Sequence, residues 1–368
     1  MGIINLSEQE ESIKEIAGHR PIAAIPIAGR YRVIDFTLSN MVNGGITNVA
    51  IFTHGKTRSI MDHLGTGGFW DLDRKRGGLS ILNPMINPQD VVQRRGDIES
   101  FKNHLDFLYM SREKYVLVSR SYMLANIDFN PAFKFHKKSG ADITIIYKQM
   151  ENSVRRYINC DTLNLDENDN VMGIGKNLGK RRHYDISLEM YIMKKDVLID
   201  IIEEGIHRGD GDYLKQCLFN RIQDLNVNAY PYDGYLSCIN NIDNFYLTNM
   251  ELLGAEKSKQ LFHDHGTIYT KIKDETSTLY SDTAHVTNSL ISNGCIIEGT
   301  VENCVVGRGV KIKKGAIVRN SIIMQNAFID ETANLNYAIL DKNVVISKKK
   351  MLFGHEGNPF VIRKNATI

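Results

Sequence analysis

The sequence has no paired cysteines, no strong charge of either sign and no long apolar run. Its 5 cysteines form no CxxC pair and show no zinc-like spacing, which indicates free thiols in a reducing compartment. A formal net charge of +2 provides no basic field for nucleic acid or a membrane surface. The apolar runs are too short to cross a bilayer, and the first residues lack the features of a signal peptide. We therefore expect a cytoplasmic protein that binds neither nucleic acid nor membranes.

The first part of the chain shows alternating strand and helix patterns. With 368 residues and 42% hydrophobic residues, the chain is long enough for two or more domains with a large core. Short apolar runs alternate with stretches whose apolar residues recur at helical spacing. The predicted strands cover 23–27, 49–53, 115–119 and 142–147, and the predicted helices cover 34–43, 59–64, 98–111, 131–138 and 241–253. This alternation predicts an α/β domain with a mostly parallel sheet.

A six-residue rhythm begins near Asp282. Apolar residues six positions apart form the series Val306, Ile312, Val318; Val310, Ala316, Ile322, Phe328; and Ile323, Ile329, Leu335. Such hexads predict a parallel β-helix, in which each hexad forms one flat side of a three-sided coil. A meander of antiparallel hairpins is the alternative, although hairpins favour a period of two. We predict domains at 1–253 and 282–368 with a connector at 254–281, and a coil with open ends usually oligomerises.

Several segments carry a resemblance to a known family. Residues 20–46, RPIAAIPIAGRYRVIDFTLSNMVNGGI, resemble the RxKPxxxxGGxxRxIDFxLSNxxNSGI segment of ADP-glucose pyrophosphorylases, also called glucose-1-phosphate adenylyltransferases. The opening GIINLSE and the stretch GFWDLDRKRGG at 68–78 resemble the catalytically impaired, regulatory GlgD-type subunits of that family. The resemblance covers the whole chain. It implies a Rossmann-like nucleotidyltransferase domain with a mostly parallel sheet, followed by a left-handed parallel β-helix.

The family's catalytic groups are missing at the matching positions. Its phosphate-binding loop GGxGxR aligns with residues 7–12, SEQEES, whose three glutamates would repel a triphosphate. The two aspartates that hold Mg²⁺ in the family fall on Ser121 and Cys238, or on Ser237 if the alignment slips by one, and the RxKP lysine falls on Ile22. Serine and cysteine cannot replace two hard anionic oxygen ligands. The resemblance therefore implies no catalytic residue and no metal site in this chain, with Mg²⁺ bound only by a catalytic partner.

The sugar-phosphate side of the family site is partly kept. Lys176 matches the lysine that pairs with the phosphate of glucose 1-phosphate, and Ser187 matches a serine near the sugar, with Glu189 in place of a nearby glycine. Arg95 and Gly96 match a segment that positions the base. The resemblance implies substrate contacts for these residues. Alternatively, Lys176 is a solvated surface residue and Gly96 serves a turn that preserves the fold.

Arg30 and Arg32 are candidates for an effector site. In the family this segment lies near the place where phosphorylated metabolites bind and adjust activity, and arginine suits bidentate phosphate contacts. An ion pair between an arginine and Asp35 is the structural alternative. The resemblance thus implies a phosphorylated metabolite as the effector.

The resemblance as a whole implies a regulatory, non-catalytic subunit that forms a heterotetramer with a catalytic GlgC-type subunit in bacterial glycogen biosynthesis. That enzyme converts ATP and glucose 1-phosphate to ADP-glucose and pyrophosphate. One alternative is a weakly active adenylyltransferase that uses other carboxylates, for example Asp128 or Asp233. Another is an acyltransferase with a histidine base between coils, but His285 and His355 lie at the edges of the predicted coil.

Overall fold

The computed structural model describes residues 1–84, 96–151, 155–209 and 211–368. The chain divides into two compact units. The first unit contains residues 1–8, 36–236 and 265–268, and the second contains residues 9–35, 237–264 and 269–368. Residues 9–35 therefore group with the C-terminal part of the chain. The predicted limits at residues 253 and 282 remain predictions.

The first part of the chain alternates strands and helices. Its strands are Gly2–Asn5 (β1), Pro26–Ile27 (β2), Tyr31–Arg32 (β3), Asn48–Phe52 (β4), Gly78–Leu82 (β5), Tyr115–Ser119 (β6), Met123–Ala125 (β7), Ile143–Glu151 (β8), Asp161–Leu165 (β9), Val171–Lys176 (β10), His183–Lys194 (β11), Val227–Pro231 (β12) and Leu236–Cys238 (β13). Its helices are Lys14–Ala17 (α1), Val33–Asn43 (α2), Arg58–Leu64 (α3), Ile98–Asn103 (α4), Leu105–Met110 (α5), Phe129–Ser139 (α6), Lys195–Arg208 (α7), Leu214–Asn220 (α8), Ile242–Glu251 (α9) and Ala255–Phe262 (α10). Most predicted elements are confirmed within a few residues.

The predicted strand at 23–27 is wrong. Ile22–Ala24 form a 3₁₀ turn after Pro21, closed by a 2.9 Å hydrogen bond from the Ala24 N–H to the Pro21 carbonyl. Only Pro26–Ile27 are extended, and they pair with β3. The apolar run is nevertheless buried. Burial alone therefore produced the strand-like pattern, because a short buried turn and a short buried strand have similar sequences.

The main sheet of the first unit is built around parallel strands in the order β6-β1-β4-β5. Ile3, Ile4 and Ile51 in β1 and β4 are fully buried, as expected for parallel strands covered on both faces, whereas most of β5 is only partly buried. β11 runs antiparallel to both β6 and β8. Ile4 of β1 lies beside Ser119 of β6, so the residues that follow these two strands emerge at the same edge of the sheet.

The C-terminal residues form three parallel sheets of five strands. The strands are Leu279–Tyr280 (β14), His285–Thr287 (β15), Leu290–Ile291 (β16), Ile296–Ile297 (β17), Thr300–Glu302 (β18), Val305–Val306 (β19), Lys311–Ile312 (β20), Ile317–Arg319 (β21), Ile322–Ile323 (β22), Phe328–Ile329 (β23), Asn334–Asn336 (β24), Ala338–Leu340 (β25), Val345–Ile346 (β26), Met351–Phe353 (β27) and Phe360–Ile362 (β28). Every third strand stacks in parallel on the one before it. This pattern confirms the parallel β-helix over the antiparallel meander.

The interior of the coil follows the predicted hexads. Ile297, Ile312, Ile329 and Ile346 stack in register and are fully buried. Phe328 is the exception, since it is only half-buried and precedes the inward-facing Ile329. Burial of these apolar rows stabilises each coil against the next.

Asparagines stack along one corner of the coil. The side-chain amides of Asn288, Asn303, Asn320 and Asn336 form a chain of hydrogen bonds from one coil to the next. The first three have positive φ, a conformation that asparagine tolerates better than most residues. The amide chain therefore fixes the turns between two sides of the coil.

Residues 9–35 pack within the second unit. The backbone N–H of Ala28 donates a 3.0 Å hydrogen bond to Oδ1 of Asn249. Gly29 has a φ of 76°, and a Cβ at this position would lie 2.4 Å from Oγ of Ser292, so only glycine fits. Among the residues that the structure describes, no helix is long and apolar enough to cross a membrane.

Candidate functional site

Ser121 lies just after β6 and is fully buried. Its Oγ and its backbone N–H donate hydrogen bonds of 2.8 and 2.9 Å to Oε1 of Glu8, which follows β1. Burial raises the pKa of the Glu8 carboxyl, although the charge of Arg120 and the bonds from Ser121 act in the opposite direction. Ser121 thus donates both of its hydrogen bonds to a carboxyl group of the chain itself.

Arg120 precedes Ser121 and is surrounded by carboxylates. Its Nε lies 3.1 Å from Oε2 of Glu189, and its Nη2 lies 3.8 Å from Oδ2 of Asp97. Burial acts against the positive charge, but Glu189, Glu8 and Asp97 outweigh burial and raise the pKa of Arg120 above its usual value. This edge of the sheet therefore holds a permanent cation that is neutralised internally.

Lys215, in the first turn of α8, is the second cation in the same place. Its Nζ lies 3.2 Å from Oε1 of Glu189 and is also ion-paired with Asp161. Burial, together with the charge of Glu189, raises the pKa of Asp161 to about 6, whereas Lys215 lowers it. Burial works against ionisation of Glu189 as well, yet Lys215 and Arg120 lower the pKa of this carboxyl. We call Asp97, Arg120, Asp161, Glu189 and Lys215 the charge network.

Asp97 fixes the chain around the charge network. It accepts 2.7 Å hydrogen bonds from Nδ2 of Asn5 and from the backbone N–H of Leu214, and Ser7 donates a further one through Oγ. Asp97 is almost completely buried. Since Asn5 and Ser7 near the end of β1 and Leu214 at the start of α8 bond to this one carboxylate, a side chain holds the residues after β1.

The predicted substrate residues differ in their exposure and in their contacts. Lys176 is exposed at the end of β10 beside Asp161, whereas Ser187 is buried in β11 and accepts a 3.1 Å hydrogen bond from the Glu189 N–H. A Cβ on Gly96 would lie 1.7 Å from the Asp212 carbonyl oxygen, which favours the turn explanation for this glycine. Arg95 lies outside the described residues. Substrate contacts for Lys176, Ser187 and Gly96 remain predictions.

Arg30 and Arg32 lie in the second unit. The Arg30 guanidinium lies over the Tyr31 ring, 5.4 Å from its centroid. Asp35, the predicted ion-pair partner, is buried and accepts a 2.9 Å hydrogen bond from the backbone N–H of Arg32. This bond resembles half of a capping box at the start of α2. Asp35 therefore has a role in ordering the helix start.

Three further cations accompany Arg30 and Arg32. Burial and repulsion from Arg30 lower the pKa of Arg308, and burial and repulsion from Arg308 and Arg32 lower the pKa of Lys273. Burial, followed by repulsion from Arg32 and Arg20, lowers the pKa of Lys342 to about 7. We call Arg30, Arg32, Lys273, Arg308 and Lys342 the basic cluster. Sequence reasoning missed its last three members, because no motif links single cations so far apart in the chain.

Comparison with known proteins agrees with this architecture. The nucleotidyl transferase family matches residues 15–158, and the GlmU-like C-terminal hexapeptide family matches residues 274–357. The chain is 34% identical over 364 residues to the glycogen biosynthesis protein GlgD of Bacillus subtilis, covering 99% of this chain and 95% of that protein. The chain belongs to the GlgD family. Its coil is accordingly a left-handed β-helix of the hexapeptide type.

Two further relatives are a second GlgD protein and an adenylyltransferase. The GlgD protein of Geobacillus stearothermophilus is 37% identical over 319 residues, covering 86% of this chain and 82% of that protein. The glucose-1-phosphate adenylyltransferase of Fervidobacterium nodosum is 29% identical over 350 residues, covering 94% of this chain and 83% of that protein. This GlgD-family chain is thus related to the adenylyltransferases as well, and the names of its closer relatives associate the family with glycogen biosynthesis.

The other candidate residues lie in different elements of this GlgD-family chain. Asp128 caps α6, where its Oδ1 accepts a 2.9 Å hydrogen bond from the Asn130 N–H, and Asp233 is exposed in a loop. His285 and His355 are both exposed, in the first coil and after β27. Cys238 is buried at the end of β13 in the second unit. Within the described ranges, no group of three or more His, Cys, Asp or Glu side chains could hold a metal ion.

Lys342 predicts a pH dependence of anion binding. The depressed pKa of about 7 means that the folded chain binds fewer protons than the unfolded chain between pH 7 and the usual lysine value of 10.5. The Lys342 contribution to stability therefore increases with pH across this window. An anion in the basic cluster would favour the charged lysine, so we expect sulfate affinity to fall by up to about tenfold per pH unit above pH 7.

Sulfate titrations at pH 6.5 and 8.5 would measure this effect, since sulfate is a dianion at both pH values and its own charge does not change. Lys342→Met is the control and should give a flatter profile. Equal slopes for the two proteins would contradict the assignment.

Proposed function

We propose that this chain is a regulatory, non-catalytic subunit of an ADP-glucose pyrophosphorylase. One observation carries the proposal: after β6, Ser121 bonds to Glu8, and Arg120 is ion-paired with Glu189. Family enzymes bind Mg²⁺ and phosphates with aspartates and a glycine-rich loop. Ser121 supplies only a neutral hydroxyl that is already bonded to Glu8, and the guanidinium supplies no oxygen, whereas Mg²⁺ is usually held in near-octahedral geometry through one or two carboxylates.

The partner in this proposal is a catalytic GlgC-type subunit in a heterotetramer. The first and last coils of the β-helix expose large apolar side chains, a feature typical of protein–protein contact surfaces. These side chains belong to Leu279, Tyr280, Met351, Phe353 and Phe360, whose exposed fractions run from 45% to 69%. Contact with another subunit would cover them, which supports assembly through the coil.

The effector in this proposal is a phosphorylated metabolite bound by the basic cluster. Burial, followed by repulsion among these cations, lowers the pKa of Lys273, Arg308 and Lys342, and a bound phosphate would relieve that repulsion. Arg30 and Arg32 flank the start of α2, so an anion bound there would contact a segment that leads directly into a helix. Binding could thereby bias the conformational equilibrium of an assembled enzyme.

The test is an assay of the catalytic subunit with and without this chain. Addition of the chain should change the half-saturating effector concentration about 5- to 150-fold, the range of ordinary allosteric coupling. The Arg30→Ala chain should assemble normally and lose most of that change. Lys348→Ala, which alters an exposed ion pair with Glu331, is the matched control and should behave like the unmodified chain. If the added chain leaves the effector response and the rate unchanged despite assembly, the proposed function is wrong.

A further inference from the structure

Glu189 combines burial, charge and an unfavourable backbone conformation. Its relative exposure is 2%, and its φ is 52°, in the left-handed region that residues with a Cβ rarely adopt. It lies where the pairing of β11 with β8 shifts register, between Ser187 and Tyr191. A residue kept in such a conformation must be held by its surroundings, and this pattern is most often found at functional positions.

Two cations from different elements hold the Glu189 carboxylate. Arg120, after β6, approaches one carboxylate oxygen, and Lys215, in α8, approaches the other, at 3.1 and 3.2 Å. The hydroxyl of Tyr122 also donates a hydrogen bond to the carboxylate. A guanidinium, an ammonium and a phenol that converge on one anion are the donors that proteins use for phosphate groups.

We propose that Arg120, Lys215 and Tyr122 form a latent binding site for a small oxyanion such as phosphate, and that Glu189 keeps this site closed by occupying it. The Glu189 side chain has about as many heavy atoms as a phosphate ion and presents its negative charge at the same donors. The inference concerns binding by this chain alone and holds whether or not the chain regulates a partner.

Two further observations support an internal plug over an ordinary structural ion pair. Oε2 of Glu189 is buried and, among the described residues, accepts no hydrogen bond, although Arg120 is within ion-pair distance. The adjoining cavity has a volume of about 20 Å³, room for roughly one water molecule. An incoming anion therefore has no space while Glu189 is in place.

The other carboxylates of the charge network do not replace Glu189. Asp97 already accepts hydrogen bonds from Asn5, Ser7 and Leu214. Asp161 belongs to β9 and pairs with Lys215. Removal of the Glu189 side chain would thus vacate both the space and the charge at these donors.

The test is calorimetric titration of the full chain with inorganic phosphate. Glu189→Gly suits the left-handed backbone and opens the site, so it should bind one phosphate more than the unmodified chain, with at least about tenfold higher affinity at that site. Any phosphate bound by the basic cluster contributes equally to both proteins, so the difference in the number of bound phosphate ions reports on the Glu189 site alone. Lys215→Met in the Glu189→Gly background should remove the gained site.

Shape and charge are separated by Glu189→Gln, which removes the charge but still fills the space and should gain no phosphate site. A folded Glu189→Gly chain that binds no additional phosphate would overturn the proposal, and so would a gained site in Glu189→Gln. Should Glu189→Gly fail to fold, Glu189→Ala supplies the second measurement. Phosphate must then raise its unfolding midpoint more than that of the unmodified chain, and an equal rise would overturn the proposal.

Discussion

ADP-glucose synthesis by the isolated chain is expected to be at least about a thousandfold slower than synthesis by an active family member. Each ~1.4 kcal/mol of lost transition-state stabilisation lowers the rate about tenfold, and loss of metal ligands and loop donors together should remove about 4 kcal/mol or more. Ser121 illustrates the reason, since it donates two hydrogen bonds to Glu8 and offers no anionic ligand. Pyrophosphate release from ATP and glucose 1-phosphate with Mg²⁺ measures the rate.

The charge network also leads us to expect little activity from a variant with aspartates at positions 121 and 238. Ser121→Asp combined with Cys238→Asp places aspartates where the resemblance predicts the family's metal ligands, yet we expect no more than a small gain in activity. The new carboxylate at position 121 would lie beside Glu8, and Arg120 and Lys215 would stay paired with Glu189. The matched control is a catalytic relative in which the two corresponding aspartates are replaced by serine and cysteine. These changes should abolish its activity. Mg²⁺-dependent turnover of the unmodified chain near that of an active relative would refute the assignment.

Arg20→Met is expected to lower the free energy of unfolding by about 3–5 kcal/mol, because it leaves the buried Asp341 carboxylate without its partner. Nη2 of Arg20 donates a 2.7 Å hydrogen bond to Oδ1 of Asp341, and the two side chains are only 5% and 3% exposed. Urea denaturation monitored by fluorescence measures the change. The pair joins residues 9–35 to the residue that follows β25, within the second unit.

Two variants distinguish pairing from general packing. Arg319→Met removes an exposed arginine from its ion pair with Glu302 on the coil and should have little effect. Arg20→Met combined with Asp341→Leu removes both buried charges and should recover most of the lost stability. If Arg20→Met were no more destabilising than Arg319→Met, the buried pair would contribute nothing specific to folding.

Local patterns were sufficient for the architecture. The hexads locate the inward-facing Ile312, Ile329 and Leu335, since a six-residue period repeats within each coil and needs no distant information. Strands β4 and β6 are equally visible, because burial on both faces gives short, continuous apolar runs, whereas β1 and β5 were not predicted. The strand predicted at 23–27 fails for the same reason, as its burial is real but its backbone begins with a turn.

The candidate site was predictable only in part. The resemblance identified Ser121 and Arg30, but it did not indicate that Glu8 would bond to Ser121, which is 113 positions away. Lys342 likewise joins Arg32 only through the fold of the second unit. The sequence does not show which residue a charged side chain will pair with. The charge and burial of its neighbours in the fold decide whether it binds a ligand or forms an internal ion pair. Glu189 is the clearest example, because its φ distinguishes it from a surface glutamate.

The distance in sequence between Arg20 and Asp341 also constrains how the protein is made. The two residues are 321 positions apart. At ordinary translation rates, roughly 15 to 65 s separate their emergence from the ribosome. During that interval residues 9–35 have been synthesised, but the coil that receives them is incomplete. The amino-terminal segment must therefore wait for nearly the whole chain, and nascent chains stalled before the final coil would expose it to chaperones and proteases.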